Sequence, residues 1–194
     1  MQTTIAEQEP HPRPFTVAEY YRLGDVGIIK PEERVELLNG LLRTMPPIGP
    51  KHAYALRRLD ALLQDRVGSC AVVSVQLPFR LGEFSELQPD LVLLRLPAER
   101  YRRVHPTPAD ALLVVEVAVT SVRYDRGPKL EAYASGGVRE YWIVDVAHRR
   151  VELYLDPAAN GFRVARVARG GDAIAPEAFP DLVLTVDELL LPPA

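Results

Sequence analysis

The sequence predicts an α/β protein in which a mixed β-sheet is flanked by helices. The apolar residues change period along the chain, alternating in some stretches and recurring every three or four residues in others. The resulting order is helix, β-hairpin, helix, several strands, helix, several strands. Two of the strands are apolar on both faces, which suits the interior of a sheet covered on both sides.

The elements follow in order. Residues 1–13 are polar and aperiodic and read as a loose tail, with 14–194 forming one domain. Phe15 to Tyr20 opens a short helix, with Thr16 as cap and Glu19 completing a capping box. Arg34 to Met45 holds Asn39-Gly40 between two apolar runs, the strongest short hairpin signal. From His52 to about Val67 the pattern is helical, with Leu59, Leu62 and Leu63 on one face and Gly68 as stop. Ala71 to Val75 is a strand, followed by Gln76 to Leu81 and a polar turn. Leu91 to Leu94 is a fully apolar strand with Pro89-Asp90 at its mouth, and the basic connector Glu99 to His105 follows it. Leu112 to Val119 is a central strand broken only by Glu116. Asp125 to Ala134 is helical, with Asp125 as a cap and Pro128 in the first turn. Tyr141 to Val144 and Val151 to Leu155 form another hairpin, and Phe162 to Val167 alternates again. Pro180 to Leu191 ends the chain as a strand or a short helix.

Composition narrows the function. The 194 residues are 47% hydrophobic and 25% charged, ordinary for a soluble globular protein of one domain. No apolar run is long enough to span a bilayer, and the N-terminus lacks a secretion pattern, so a cytoplasmic location is expected. Cys70 is the sole cysteine, which excludes an intrachain disulfide and argues against a cysteine zinc cage. The net charge is −3, unlike constitutive DNA-coating proteins, so nucleic-acid contact would come from a local patch. Of the 23 basic residues only Lys30, Lys51 and Lys129 are lysine. No Gly-x-Ser-x-Gly motif accompanies His11, His52, His105 or His148, so a serine hydrolase is a poor reading.

Three residues carry the strongest chemical signal. Glu116 sits in an apolar strand, where a carboxylate costs several kcal/mol unless it is paired or holds a metal. Its bland alternatives are a place at the sheet rim or a salt bridge to an arginine. Asp90 opens an equally apolar strand, and two such strands can bring their single acids to one point. Alone, Pro89-Asp90 also reads as an ordinary strand start. Two carboxylates with open positions suit Mg²⁺, with Mn²⁺ as a substitute. Lys129 lies one turn into the following helix, where it could hold or deprotonate the attacking water, or else be a solvated helix-edge lysine. Arg123 and Arg126 are phosphate candidates close to this set in sequence. Arg100, Arg102 and Arg103, with Tyr101 among them, read either as a backbone grip or as a solvated loop.

Several stretches together resemble the Uma2 family: Glu33 to Gly40, Gln88-Pro89-Asp90-Leu91, Leu113 to Val117, Tyr124 to Tyr133 and Arg139 to Asp145. The resemblance runs from about Phe15 to Leu190. It implies an endonuclease of the PD-(D/E)XK superfamily, with a restriction-endonuclease-like α/β/α core, a mixed central sheet flanked by helices, and added β-hairpins. The superfamily's usual lysine position is Ala118 here. In the resembled family the lysine has moved to the next helix, which matches Lys129. The same resemblance implies Glu36 as an additional acid near the metal, though Glu36 also fits a plain amphipathic strand. It puts His52 and Gln76 at polar positions near the site, while His52 fits a helix start equally well. A nucleic-acid substrate, DNA first, and a homodimer are implied too, with the alternating strand Val151 to Leu155 as a candidate dimer edge. The competing expectation is a catalytically inert nucleic-acid or protein-binding module on a nuclease fold.

Overall fold

The computed structural model describes residues 12–190. Most of the expected N-terminal tail, residues 1–11, and the last residues, 191–194, lie outside the described part.

Helix α1 (Val17–Asp25) starts at Thr16, and both halves of the capping box with Glu19 are formed. Strands β1 (Val35–Leu38) and β2 (Leu41–Thr44) make the expected hairpin, with Asn39 at φ 51° and Gly40 at φ 74°. A Cβ at Gly40 would also collide with Pro14, so glycine is required there twice over. Helix α2 (Pro50–Val67) ends at Gly68 and buries Ala55, Leu56, Leu59, Leu63 and Val67.

Two larger sheets, with a two-stranded one near the end of the chain, organise the rest. The larger is six-stranded, in the order β10-β9-β8-β7-β6-β3. Its members are β3 (Val72–Val75), β6 (Leu91–Leu94), β7 (Ala111–Ala118), β8 (Glu140–Asp145), β9 (Arg150–Ala158) and β10 (Gly161–Arg169). Only β7 and β8 run parallel, which makes the sheet mixed. The smaller sheet, β2-β1-β5-β4, adds β4 (Phe79–Gly82) and β5 (Ser85–Leu87) to the hairpin. This second hairpin replaces the plain polar turn expected after Leu81.

The strand β7 separates two apolar layers by its alternation. Leu113, Val115 and Val117 join Leu59, Leu63, Trp142 and Leu153 beneath α2. Val114 and Ala118 join Tyr133, Ile143 and Leu38 beneath the helix that follows β7 and the small sheet. Glu116 shares the parity of Val114 and Ala118, so it faces this second layer.

That following helix differs from expectation at its start. Helix begins at α3 (Val122–Tyr124), widens into a π-turn over Asp125–Lys129 and continues as α4 (Leu130–Ser135). Asp125 is therefore inside the helical run and does not cap it. Pro128 has no N–H to give the preceding turn, and the widening occurs where that donor is lost. A further correction concerns the candidate dimer edge. Val151 to Leu155 lies in β9, which is paired on both sides, and β10 is the outer strand. The chain closes with β11 (Ala173–Ile174), β12 (Leu184–Thr185) and α5 (Val186–Leu189), so the Pro180 to Leu190 stretch is strand and then short helix. No described helix is long and apolar enough to cross a membrane.

Candidate active site

Strand register assembles the acids. In the β6–β7 pair, Leu91 faces Val115 and Val92 faces Val114. One more step in that register sets Asp90 opposite Glu116. The Asp90 N–H lies 3.4 Å from Glu116 Oε2, and the Val117 N–H donates to Asp90 Oδ2 at 2.9 Å. Each acid thus rests against the other's strand.

The helix after β7 returns over this point. Lys129 Nζ donates to Glu116 Oε1 at 2.7 Å, and the Tyr133 hydroxyl donates to the same oxygen at 2.7 Å. The small sheet delivers Glu36, whose Oε1 lies 3.5 Å from Lys129 Nζ and accepts the Gln88 N–H at 2.8 Å. Glu36 Oε2 is buried with no hydrogen-bond partner among the described residues. Asp125 is buried beside them and accepts from Ser121 Oγ at 2.6 Å. Its field acts on Lys129 and Glu116.

Asp90 is held from the opposite side. His52 Nε2 and Gln76 Nε2 both lie 2.9 Å from its Oδ1. Gln76 has φ 50°, a left-handed conformation uncommon outside glycine, which marks a locally constrained backbone beside the site.

Four carboxylates (Glu36, Asp90, Glu116 and Asp125) are therefore buried around the Lys129 ammonium, itself 4% exposed. Burial pushes the Glu116 carboxyl up to about 8; Lys129 opposes the rise, while Asp90, Asp125 and Glu36 add to it. Burial likewise raises Asp125. Burial alone would lower the Lys129 ammonium, but Glu116, Glu36 and Asp125 outweigh it and hold the group charged. For Asp90 burial is again the largest influence, upward, yet the His52 ring, the Val117 N–H and Lys129 together hold it below the ordinary carboxylate range. The reciprocal bond to Asp90 raises His52. Among the described residues, no three His, Cys, Asp or Glu side chains converge into a metal cage.

The expected phosphate contacts divide. Arg123 is exposed on α3 and makes no ion pair among the described residues. Arg126 turns away into a separate network. It is bonded to both oxygens of Glu152 and lies 3.4 Å from Asp145. Arg150 completes that network, at 3.1 Å from Asp145 and 3.0 Å from Glu152. The basic connector joins the end of β6 to the start of β7. The start of β7, Ala111, is about 17 Å from Glu116 at strand rise, and the connector's His105 stacks on Tyr21 of α1. The connector's Arg100 is paired with Asp110 at 2.8 Å.

Sequence reading missed Asp125, Tyr133 and Tyr124 as neighbours of the site. A signal was present: Asp125, Lys129 and Tyr133 recur at spacings of four, which lines them along one helix face. Tyr124 lies beneath Lys129, with Nζ 5.8 Å from its ring centre, and its hydroxyl is buried without a hydrogen-bond partner among the described residues.

The comparisons with known proteins agree with this architecture. The Uma2 family model, described as "Putative restriction endonuclease", matches residues 17–187. Among solved structures, a protein from Anabaena variabilis, described as a putative nuclease belonging to DUF820, is similar at a TM-score of 0.72. The likeness covers 91% of this chain and 97% of that one, at 16% identity, and so concerns the fold. No curated protein matches the chain significantly.

Proposed function

The chain belongs to the Uma2 family, and from that premise we propose that it is a Mg²⁺-dependent endonuclease that hydrolyses phosphodiester bonds of DNA at Asp90, Glu116 and Lys129. The observation that carries this reading is the meeting of two buried acids, Asp90 and Glu116, at one point of the sheet, with Glu36 and Asp125 buried beside them.

The residues fit a hard divalent cation. Two carboxylates from adjacent strands match the usual Mg²⁺ preference for one or two carboxylates, and Mn²⁺ accepts the same donors. Glu36 Oε2 offers a further buried oxygen without a donor among the described residues. Asp90 and Glu116 would hold the ion, with Glu36 beside them. Bound there, Mg²⁺ supplies Lewis acidity to activate water and to neutralise charge on the phosphate.

The chain's own groups then have distinct tasks. Lys129 acts as an ammonium, because its neighbouring carboxylates keep it protonated. It orients Glu116 and stabilises negative charge that builds on a phosphate beside it. Acting as a general base would require it to lose that proton first. Tyr133 fixes the rotamer of Glu116, and His52 with Gln76 fixes Asp90. Arg123, exposed at the start of the helix, is available to a phosphate. The same reading includes a cytoplasmic homodimer, whose stoichiometry sedimentation velocity would test.

The test is cleavage of duplex DNA, and of RNA in parallel, with Mg²⁺ or Mn²⁺. Cleavage is expected with either metal and should be lost in Asp90→Ala and Glu116→Ala. Unchanged cleavage in either variant overturns the reading. Absence of cleavage with no metal binding, Asp90 and Glu116 being intact, would instead favour an inert binding module.

A further inference from the structure

We propose that Arg34, just before β1, and Arg43 of β2 form a clamp for the backbone phosphates of nucleic acid beside the carboxylate cluster. The proposal rests on the nuclease reading and adds to it where the substrate is gripped.

The hairpin geometry sets both side chains on the face that carries Glu36. Arg34 stands just before β1, but its carbonyl accepts the Met45 N–H at 2.8 Å, so the pairing extends to it and, two residues from Glu36, it shares that residue's face. Arg43 is the cross-strand partner of Glu36. Directly opposed residues keep their Cβ atoms about 5 Å apart on one face. Both arginines therefore border the acid that reaches Lys129.

Neither guanidinium is neutralised. Among the described residues neither Arg34 nor Arg43 makes an ion pair, although Arg43 stands beside a carboxylate. The reason is that Glu36 points inward, to the Gln88 N–H and Lys129, and is wholly buried. Arg43 stays exposed, and Arg34 is half-buried. Both charges are felt at the cluster. The charge of Arg34 opposes protonation of His52, the partner of Asp90. The charge of Arg43 is felt at the Tyr124 hydroxyl, beside Lys129.

The chemistry calls for such a pair. A chain of net charge −3 with a pit of buried carboxylates repels a polyanion unless fixed cations flank the pit. Planar guanidiniums suit phosphate oxygens by presenting paired donors. The alternative grip, the connector arginines Arg102 and Arg103, belongs to the segment that enters β7 a strand length from Glu116.

The experiment is fluorescence anisotropy of a labelled DNA duplex bound to the full chain. Ca²⁺ is present to satisfy the carboxylates, and salt is titrated. The variants are Arg34→Ala/Arg43→Ala, Arg34→Lys/Arg43→Lys and Arg102→Ala/Arg103→Ala. Removing two phosphate contacts should lower the slope of log affinity against log salt by about 1.8 and weaken binding about tenfold or more at low salt. The lysine variant should keep the slope while losing part of the affinity. The connector variant should bind like wild type, and all should melt at the wild-type temperature. Equal slope and affinity in wild type and Arg34→Ala/Arg43→Ala would overturn the clamp alone, as would loss confined to the connector variant. A wild-type chain that binds no duplex at low salt would overturn both the clamp and the nucleic-acid reading beneath it.

Discussion

One face of the central sheet carries two clusters of buried acids, and they differ in how their charge is met. Glu116 on β7 is in register with Ile143 on β8, and Ile143 with Glu152 on β9. Glu116 and Glu152 are thus equivalent positions two strands apart. Around Glu152, the second acid is Asp145, and two guanidiniums, Arg126 and Arg150, face the pair. His148 and the Tyr154 hydroxyl add further donors. Around Glu116 there are four buried carboxylates, one ammonium and, across Asp90, His52. The first cluster is balanced by its own side chains. The second has more acids than cations and, among the described residues, a carboxylate oxygen without a donor. Buried acids are costly when unpaired; in the reading proposed above, the balanced cluster is structural and the unbalanced one takes a cation.

The carboxyl shifts point the same way. Burial raises Glu116 to about 8. At Glu152 and Asp145 burial also acts upward, but hydrogen bonds from Arg126, Tyr154 and His148 prevail, and both carboxyls lie below their ordinary values.

The largest expected contrast is in activity. Lys129→Met should lower metal-dependent cleavage at least about a hundredfold, because the group removed lies against Glu116. Arg126→Met should change it less than about threefold. Initial rates on one duplex under saturating Mg²⁺ check this, and equal losses would erase the distinction between the clusters.

The next contrast is in stability without metal. Above about pH 8, where Glu116 is charged, Glu116→Gln removes a buried charge and should raise the melting temperature. Glu152→Gln leaves Arg126 and Arg150 short of a partner and should cost about 1–3 kcal/mol, less than a fully buried pair would because Arg126 is partly exposed. Thermal melts in a chelating buffer read both signs.

A smaller effect concerns pH. The folded chain holds the Glu116 proton more tightly than the unfolded chain does. Its contribution to metal-free stability should therefore fall as pH rises from the ordinary glutamate value to about 8, and Glu116→Gln should flatten that decline. Asp145 and Glu152, shifted downward, contribute stability above the ordinary carboxylate range. That contribution is lost as pH falls through their folded values, so Glu152→Gln should flatten only the acid limb. Urea melts across pH would resolve the two limbs.

Much of this was legible in the sequence, for identifiable reasons. The Asn39-Gly40 turn fixes its hairpin locally, because both residues must take positive φ. The buried acid in an apolar strand announced Glu116, and β6–β7 register then explains Asp90. What escaped depended on tertiary geometry. Asp125 resembled a helix cap until the helix proved to start at Val122. Arg126 follows the π-turn toward Glu152, a direction that residue spacing alone does not give. The outer position of β10 depends on pairing between distant strands, so β9 passed for an edge. Arg34 and Arg43 gain meaning only once the hairpin is seen to deliver Glu36 to Lys129.

Titration calorimetry with Mn²⁺ tests the central claim, that the unbalanced cluster is a cation site, most directly. Wild type should bind one ion per chain, more tightly as pH rises through about 8, where Glu116 gives up its proton. Glu116→Gln should abolish that binding and Glu152→Gln should leave it intact. Absence of binding heat at millimolar Mn²⁺, or undiminished binding in Glu116→Gln, would contradict it.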